Sequence, residues 1–117
     1  MTSKELGAVF EEQVQRCREV LLVKGKEYTP DEADRFSSFK TAAELQHIEP
    51  EKALLGMLSK HIVSLYDMSF VGVDHYDMAV WEEKITDSMN YLFLLKAIIR
   101  EDNPTWDEVE QEADNEA

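Results

Sequence analysis

Apolar residues recur along this chain every three to four positions, and strict alternation is nearly absent. That period belongs to the helix and not to the strand. The first row is Leu6, Val9, Phe10, Val14, Cys17, Val20 and Leu21. Thr2 and Glu5 stand ahead of it at the spacing of a capping box, and Gly25 offers a stop. The pattern predicts a helix over Ser3 to Lys24, then a connection from Lys26 to about Ser37. Inside the connection, Thr29-Pro30-Asp31-Glu32 is a second capping box with proline at the first helical position, which predicts one turn there. A short helix is expected over Ser38 to Leu45, presenting Phe39, Ala42 and Ala43.

The next row is Leu54, Met57, Leu58, His61, Ile62, Leu65 and Met68. It predicts a helix from Pro50 to about Phe70, broken by Val71-Gly72-Val73. A last long helix is expected from near Asp77, a suitable N-cap, to near Arg100, with Trp81, Ile85, Met89, Leu92 and Leu95 packing inward. Asn103-Pro104 ends it, and Thr105 and Glu108 are placed to cap a final turn carrying Trp106 and Val109. Three long amphipathic helices and one short one predict an all-α fold, a small helical bundle. Residues 1–100 form one domain, and 101–117 an acidic tail. The Pro50 helix is apolar over a wide arc, and Tyr91 to Ile99 nearly all round. That exceeds what a small monomeric bundle covers, so a homo-oligomer, in the first instance a dimer, is expected.

The last helix also carries a second row. Glu83, Asp87 and Asn90 lie at i, i+4 and i+7, and the same line continues as Tyr91, Leu94 and Ile98. Asp87 should therefore stand beside a core face, where a carboxylate is expensive unless paired, hydrogen-bonded or bound to metal.

Charge changes the picture less than its total of −13 suggests. Eight acids and no Lys or Arg fall between Glu101 and Ala117, so the first 100 residues carry about −5. A solvated terminus is the plainer reading of that tail, and an interaction tail the other. Direct nucleic-acid binding is not expected of so acidic a chain, because phosphate contacts need clustered cations. Met1 to Glu12 is polar and acidic, unlike a secretion signal. The longest apolar run, Tyr91 to Ile99, is interrupted by Lys96 and too short to span a bilayer. The single cysteine, Cys17, lies on an apolar stripe and reads as a packed thiol in a cytoplasmic protein.

Glu83 and Asp87 are one helical turn apart and can share a hard cation such as Mg²⁺. Lys60, Ser64 and Asp67 form a polar row on the preceding helix. If the two helices are antiparallel neighbours, Lys60 can meet a phosphate or neutralise Glu83 or Asp87. Adjacent Glu82 is expected to point elsewhere, and His61, on an apolar stripe, reads more simply as a satisfied core histidine than as a ligand. Lys24-Gly25-Lys26-Glu27-Tyr28 can meet an anion, although lysines at a helix C-terminus also complement its dipole. Asp34-Arg35-Phe36 is a similar charged stretch beside the aromatic anchor Phe39. No phosphate-binding glycine loop, nucleophile elbow, HExxH or paired CxxC occurs, so nucleophilic catalysis and structural zinc have no support.

Four segments in order resemble a known family: Lys24-Gly25-Lys26-Glu27-Tyr28, Phe39-Lys40-x-Ala-Ala43, Lys60-His61-x-x-Ser64-Leu65-x-Asp67, and Trp81-x-Glu-Lys-Ile-x-Asp87-x-x-Asn90-Tyr91. They resemble phage and prophage proteins of the nucleotide modification associated domain 1 type, over residues 20 to 100. That family is distantly similar to the all-α NTP pyrophosphatases of the MazG-like and dimeric dUTPase group. In that group acids on two adjacent helices hold Mg²⁺ against a nucleoside triphosphate, and water attacks the α-phosphate. The resemblance implies Glu83 and Asp87 as metal-holding, catalytic carboxylates, Lys60 on phosphate, and Asn90, Tyr91 and Tyr28 on base or sugar. Where the group has its first E-x-x-E, this chain has Lys60-His61-Ile62-Val63, which leaves Glu27 and Asp67 as the acids able to complete the cage. The expectation is a phage-type, Mg²⁺-dependent nucleotide-binding protein or pyrophosphohydrolase in a bacterial cytoplasm. The alternative is a non-enzymatic acidic phage protein that binds and inhibits or recruits a host protein.

Overall fold

The computed structural model describes residues 1–28, 33–103 and 105–106, apart from the side chains of residues 27 and 28. The turn expected at Thr29–Glu32, Pro104, and Glu108 and Val109 of the last turn lie outside the described residues. The fold is a small all-α bundle, with no strand among the described residues. Its helices are α1 (Ser3–Arg18), α2 (Gly25–Tyr28), α3 (Ser37–Gln46), α4 (Pro50–Val71) and α5 (Met78–Asp102). A π-helical turn, Glu19–Lys24, joins α1 to α2 without a break.

The capping box forms as its spacing requires. Thr2 Oγ1 accepts from the Glu5 amide at 3.1 Å, and the Glu5 carboxylate reaches back to the Thr2 amide. Pro50 opens α4, where its missing N–H would have had no partner. Gly72 ends α4 at φ 124°, a region closed to most side chains, and a 3₁₀ turn, Val73–His75, then leads to Asp77 and α5. Asp77 is the N-cap residue, although its side chain makes no capping hydrogen bond.

Gly25 behaves differently from its expected role as a stop. Its backbone is ordinary right-handed helix (φ −57°, ψ −30°), and the chain winds on to Tyr28. A glycine in such a position is less stable than alanine by roughly 0.5–1 kcal/mol.

The core is small and lies at one end of the α4–α5 pair. Leu54 and Ile98 are fully buried, and Phe36 and Phe39 close over them. Burying one such side chain contributes about 1.5–3 kcal/mol. Further along, the His61 and Tyr91 rings meet at 5.1 Å. Position 54 thus pairs with 98 and 61 with 91, so α4 and α5 run antiparallel, as their short connection implies. On α1 only Cys17 is buried, whereas Leu6, Val9 and Phe10 are 49–60 % exposed. On α5, Ile85 and Leu92 face solvent, and Thr86, Ser88 and Asn90 are buried instead. No helix among the described residues is long and apolar enough to cross a membrane.

Lys40 fastens α3 to both of its neighbours in the chain fold. Its ammonium lies 2.7 Å from Asp34 and 2.8 Å from Glu101 at the end of α5. The Lys40 ammonium, then the Phe36 amide, hold the Asp34 carboxyl below its ordinary value of 3.8, and the two carboxylates push Lys40 upward. A depressed carboxyl stabilises the fold above its unfolded value and loses that contribution as pH falls through its folded value. The Lys40–Asp34 link is therefore intact at neutral pH and dissolves only below about pH 4. In Lys40→Met, NMR titration should find the Asp34 midpoint raised toward 3.8. An unmoved midpoint would show that the Phe36 amide alone sets it.

Candidate functional site

Two connected hollows lie where the end of α1 and the π turn cross α5. Asp87 lines both. The outer cleft, about 480 Å³, has Arg16, Glu19 and Lys24 on one wall and Glu82, Glu83 and Asp87 on the other. The second hollow, an open chamber of about 230 Å³, is lined by Arg35, His61, Asp87, Asn90 and Tyr91 beside the apolar Val20, Leu21 and Leu94.

The two walls are pinned together by polar side chains. Arg16 Nε donates to Glu82 at 2.8 Å, and Gln13 Nε2 donates to Thr86 Oγ1 at 2.9 Å. Glu82 was expected to point elsewhere; it instead faces the cleft, because Arg16 on the crossing helix draws it there. Arg16 and Glu82 are thereby committed to holding the cleft together. Glu83 and Asp87 make no hydrogen bond or ion pair with a described residue, and neither do Lys24 and Arg35. Opposite charges share the two hollows without satisfying one another.

The row through Glu83, Asp87, Asn90, Tyr91, Leu94 and Ile98 runs inward as its spacing requires. Glu83 is exposed, Asp87 and Tyr91 are half-buried, and Asn90 is only 6 % exposed. Ser88, also buried, donates to the Lys84 carbonyl at 2.7 Å, and Thr86 has Gln13. Asn90 has nothing: both its amide nitrogen and its oxygen are enclosed and unpaired. His61 Nδ1, in the same chamber, is likewise buried without a partner, so His61 packs on Tyr91 without being a satisfied core histidine. Such groups require ordered water or a polar ligand, since each unpaired group costs about 1–3 kcal/mol.

The polar row of α4 goes elsewhere. Lys60 is exposed and level with Leu92, and Asp67 is exposed; neither is among the residues lining the two hollows. Five residues of helix, about 7 Å, separate the level of Lys60 from that of Asp87. The cations that share the hollows with Asp87 come from the other side, from Arg16, Lys24 and Arg35. Those residues, and Glu19, depend on a crossing of helices that no local pattern announces. The side chains of Glu27 and Tyr28 lie outside the described residues.

No family model, curated protein or solved structure matches the chain. The site's own chemistry has to carry the functional argument. Among the described residues no three His, Cys, Asp or Glu side chains gather closely enough to hold a metal ion. Mg²⁺ commonly binds through one or two carboxylates together with substrate phosphates. Glu83 and Asp87 do not by themselves make a protein cage for a free ion.

Asn90 supplies a direct test of whether this chamber serves the fold or a ligand. Asn90→Leu removes two orphaned polar atoms, keeps the number of side-chain heavy atoms and directs its extra bulk into the hollow that Asn90 lines, so it should raise the melting temperature by several degrees, on the order of 1 kcal/mol. A lower melting temperature in calorimetry would mean that Asn90 holds the fold.

Proposed function

We propose that this chain is a nucleotide-binding protein of the phage type that its sequence resembles, working in the cytoplasm of a bacterial host. Its ligands are nucleoside triphosphates, and pyrophosphohydrolysis is the reaction that its outer cleft suits. The observation that carries this reading is the gathering of two carboxylates and two cations, none with a partner among the described residues, around hollows that also contain an orphaned, buried carboxamide. A nucleotide offers what each lacks: anionic oxygens for Lys24 and Arg35, and a hydrogen-bonding heterocycle for Asn90. The Tyr91 and His61 rings, tilted 39° to one another, supply apolar surface to the base.

In this reading Glu83 and Asp87 hold Mg²⁺ together with the phosphates. The ion would offset phosphate charge in the cleft. Lys24 binds phosphate from the π turn, while Arg16 and Glu82 keep the two walls at a fixed spacing. Hydrolysis would add water at the α-phosphorus, break its bond to the bridging oxygen, and release pyrophosphate. Lys60 and Asp67 are exposed and line neither hollow, so these roles are not assigned to them.

A screen of deoxynucleoside triphosphates, common and modified, with Mg²⁺ or Mn²⁺ should raise the melting temperature by several degrees at ligand concentrations far above the dissociation constant. Asp87→Asn and Lys24→Met should abolish that rise while keeping the unliganded melting temperature, since neither side chain is paired in the fold. No shift and no pyrophosphate release with any nucleotide would refute the reading.

The chain is also proposed to pair with a second copy through α1. The apolar row of α1 is covered at Cys17 by its own fold but open at Leu6, Val9 and Phe10. Ten residues of helix projecting without a packed face are marginal in water. The radius of gyration, 16.9 Å, exceeds the roughly 13 Å of a compact chain of this length, consistent with a shape completed by a partner. Light scattering at micromolar concentration should give a dimer mass, and Phe10→Asp the mass of one chain. A wild-type monomer at those concentrations would sink this part.

A further inference from the structure

Gly25 is buried in the middle of a continuous helical run, at angles that alanine adopts better. Conformation therefore does not explain it. Space does: a β-carbon built on Gly25 would lie 3.2 Å from an Arg35 guanidinium nitrogen and 3.6 Å from its central carbon. Gly7 and Gly56, also helical, have nothing within 4 Å of the same position. The Arg35 guanidinium thus borders the space that a side chain at position 25 would take, one residue beyond Lys24, at the wall of the chamber holding Asn90 and His61. It has no anionic partner among the described residues.

We infer that Gly25 is a seat for Arg35, and that the seated guanidinium binds a phosphate oxygen of the ligand. An arginine on an open surface loses rotamer freedom when it binds, and a surface that already holds its plane reduces that loss. Arg35 follows a segment far from α5 in sequence, so the seat fixes where its charge meets the ligand. Arg35 is the binding group, and Gly25 a positioning residue that acts through it. The choice of phosphate rests on the nucleotide reading; the seat itself does not.

The test uses the full chain and two probes, inorganic tripolyphosphate and deoxynucleoside triphosphates, by calorimetry on wild type, Gly25→Ala, Arg35→Gln and the double variant. Wild type should bind tripolyphosphate, Arg35→Gln about tenfold more weakly, the loss expected of one charge-assisted contact, and Gly25→Ala more weakly than wild type but by less than Arg35→Gln. The double variant should be no weaker than Arg35→Gln, because Gly25 acts only through Arg35. Gly25→Ala should melt no lower than wild type, which separates a lost seat from a damaged fold. An unchanged affinity in Gly25→Ala, effects that multiply in the double variant, or no binding of tripolyphosphate would overturn the inference. If tripolyphosphate binds in the expected pattern and no nucleotide binds more tightly, the seat stands and the nucleotide reading falls. If nucleotides bind and both single variants leave their affinity unchanged, the reading stands and the seat falls.

Discussion

The contact between Leu54 and Ile98, closed by Phe36 and Phe39, is what the remaining structure depends on. It sets α4 antiparallel to α5 and fixes their register near one end of the pair. Lys40 reinforces that end by joining Asp34 to Glu101. The aromatic packing is concentrated there, and toward the other end Cys17 and Met68 are the buried apolar side chains among the described residues, so much of the other half of α5 is released from forming core. It can bury Thr86, Ser88 and Asn90 where a larger bundle would place leucines. The chain holds itself together at one end and presents chemistry at the other.

That division explains how polar burial is tolerated. Thr86 is met by Gln13 and Ser88 by its own helix, so both are neutral to the fold at worst. Asn90 and His61 Nδ1 are not met, and they line one chamber. Stable proteins carry few such groups, and each calls for ordered water or a ligand. The unpaired charges of Glu83, Asp87, Lys24 and Arg35 lie around the same hollows.

The helices were legible in the sequence because a 3.6-residue period, a capping box at Thr2 and a proline at position 50 are local signals. The inward path of Glu83, Asp87 and Asn90 was legible for the same reason: spacing on one helix fixes which side chains share a face. The opposite wall was not. Whether Lys60 or Lys24 shares a cleft with Asp87 is decided by how α1 crosses α5, which depends on contacts such as Gln13 with Thr86, 73 residues apart. Gly25 misled for a related reason. Glycine after a lysine-bearing helix end commonly stops a helix, but here a distant arginine occupies the space that glycine leaves. The exposed row at Leu6, Val9 and Phe10 was readable as apolar, while its lack of cover depends on tertiary packing.

The π turn at Glu19–Lys24 has a consequence for the chain as an inherited object. Its hydrogen bonds span one residue more than those of an α-helix, so everything after it is rotated by about 100° from where a uniform helix would have put it. Residue number in this segment therefore acts as a phase setting. A one-codon deletion between positions 19 and 24 would hardly alter composition or helical content. It would also let the turn close to an α-helix and cancel that rotation, leaving Lys24 toward the cleft and Gly25 toward Arg35, whereas a one-codon insertion would turn both away. Homologous chains should consequently accept the loss of one residue here more readily than the gain of one.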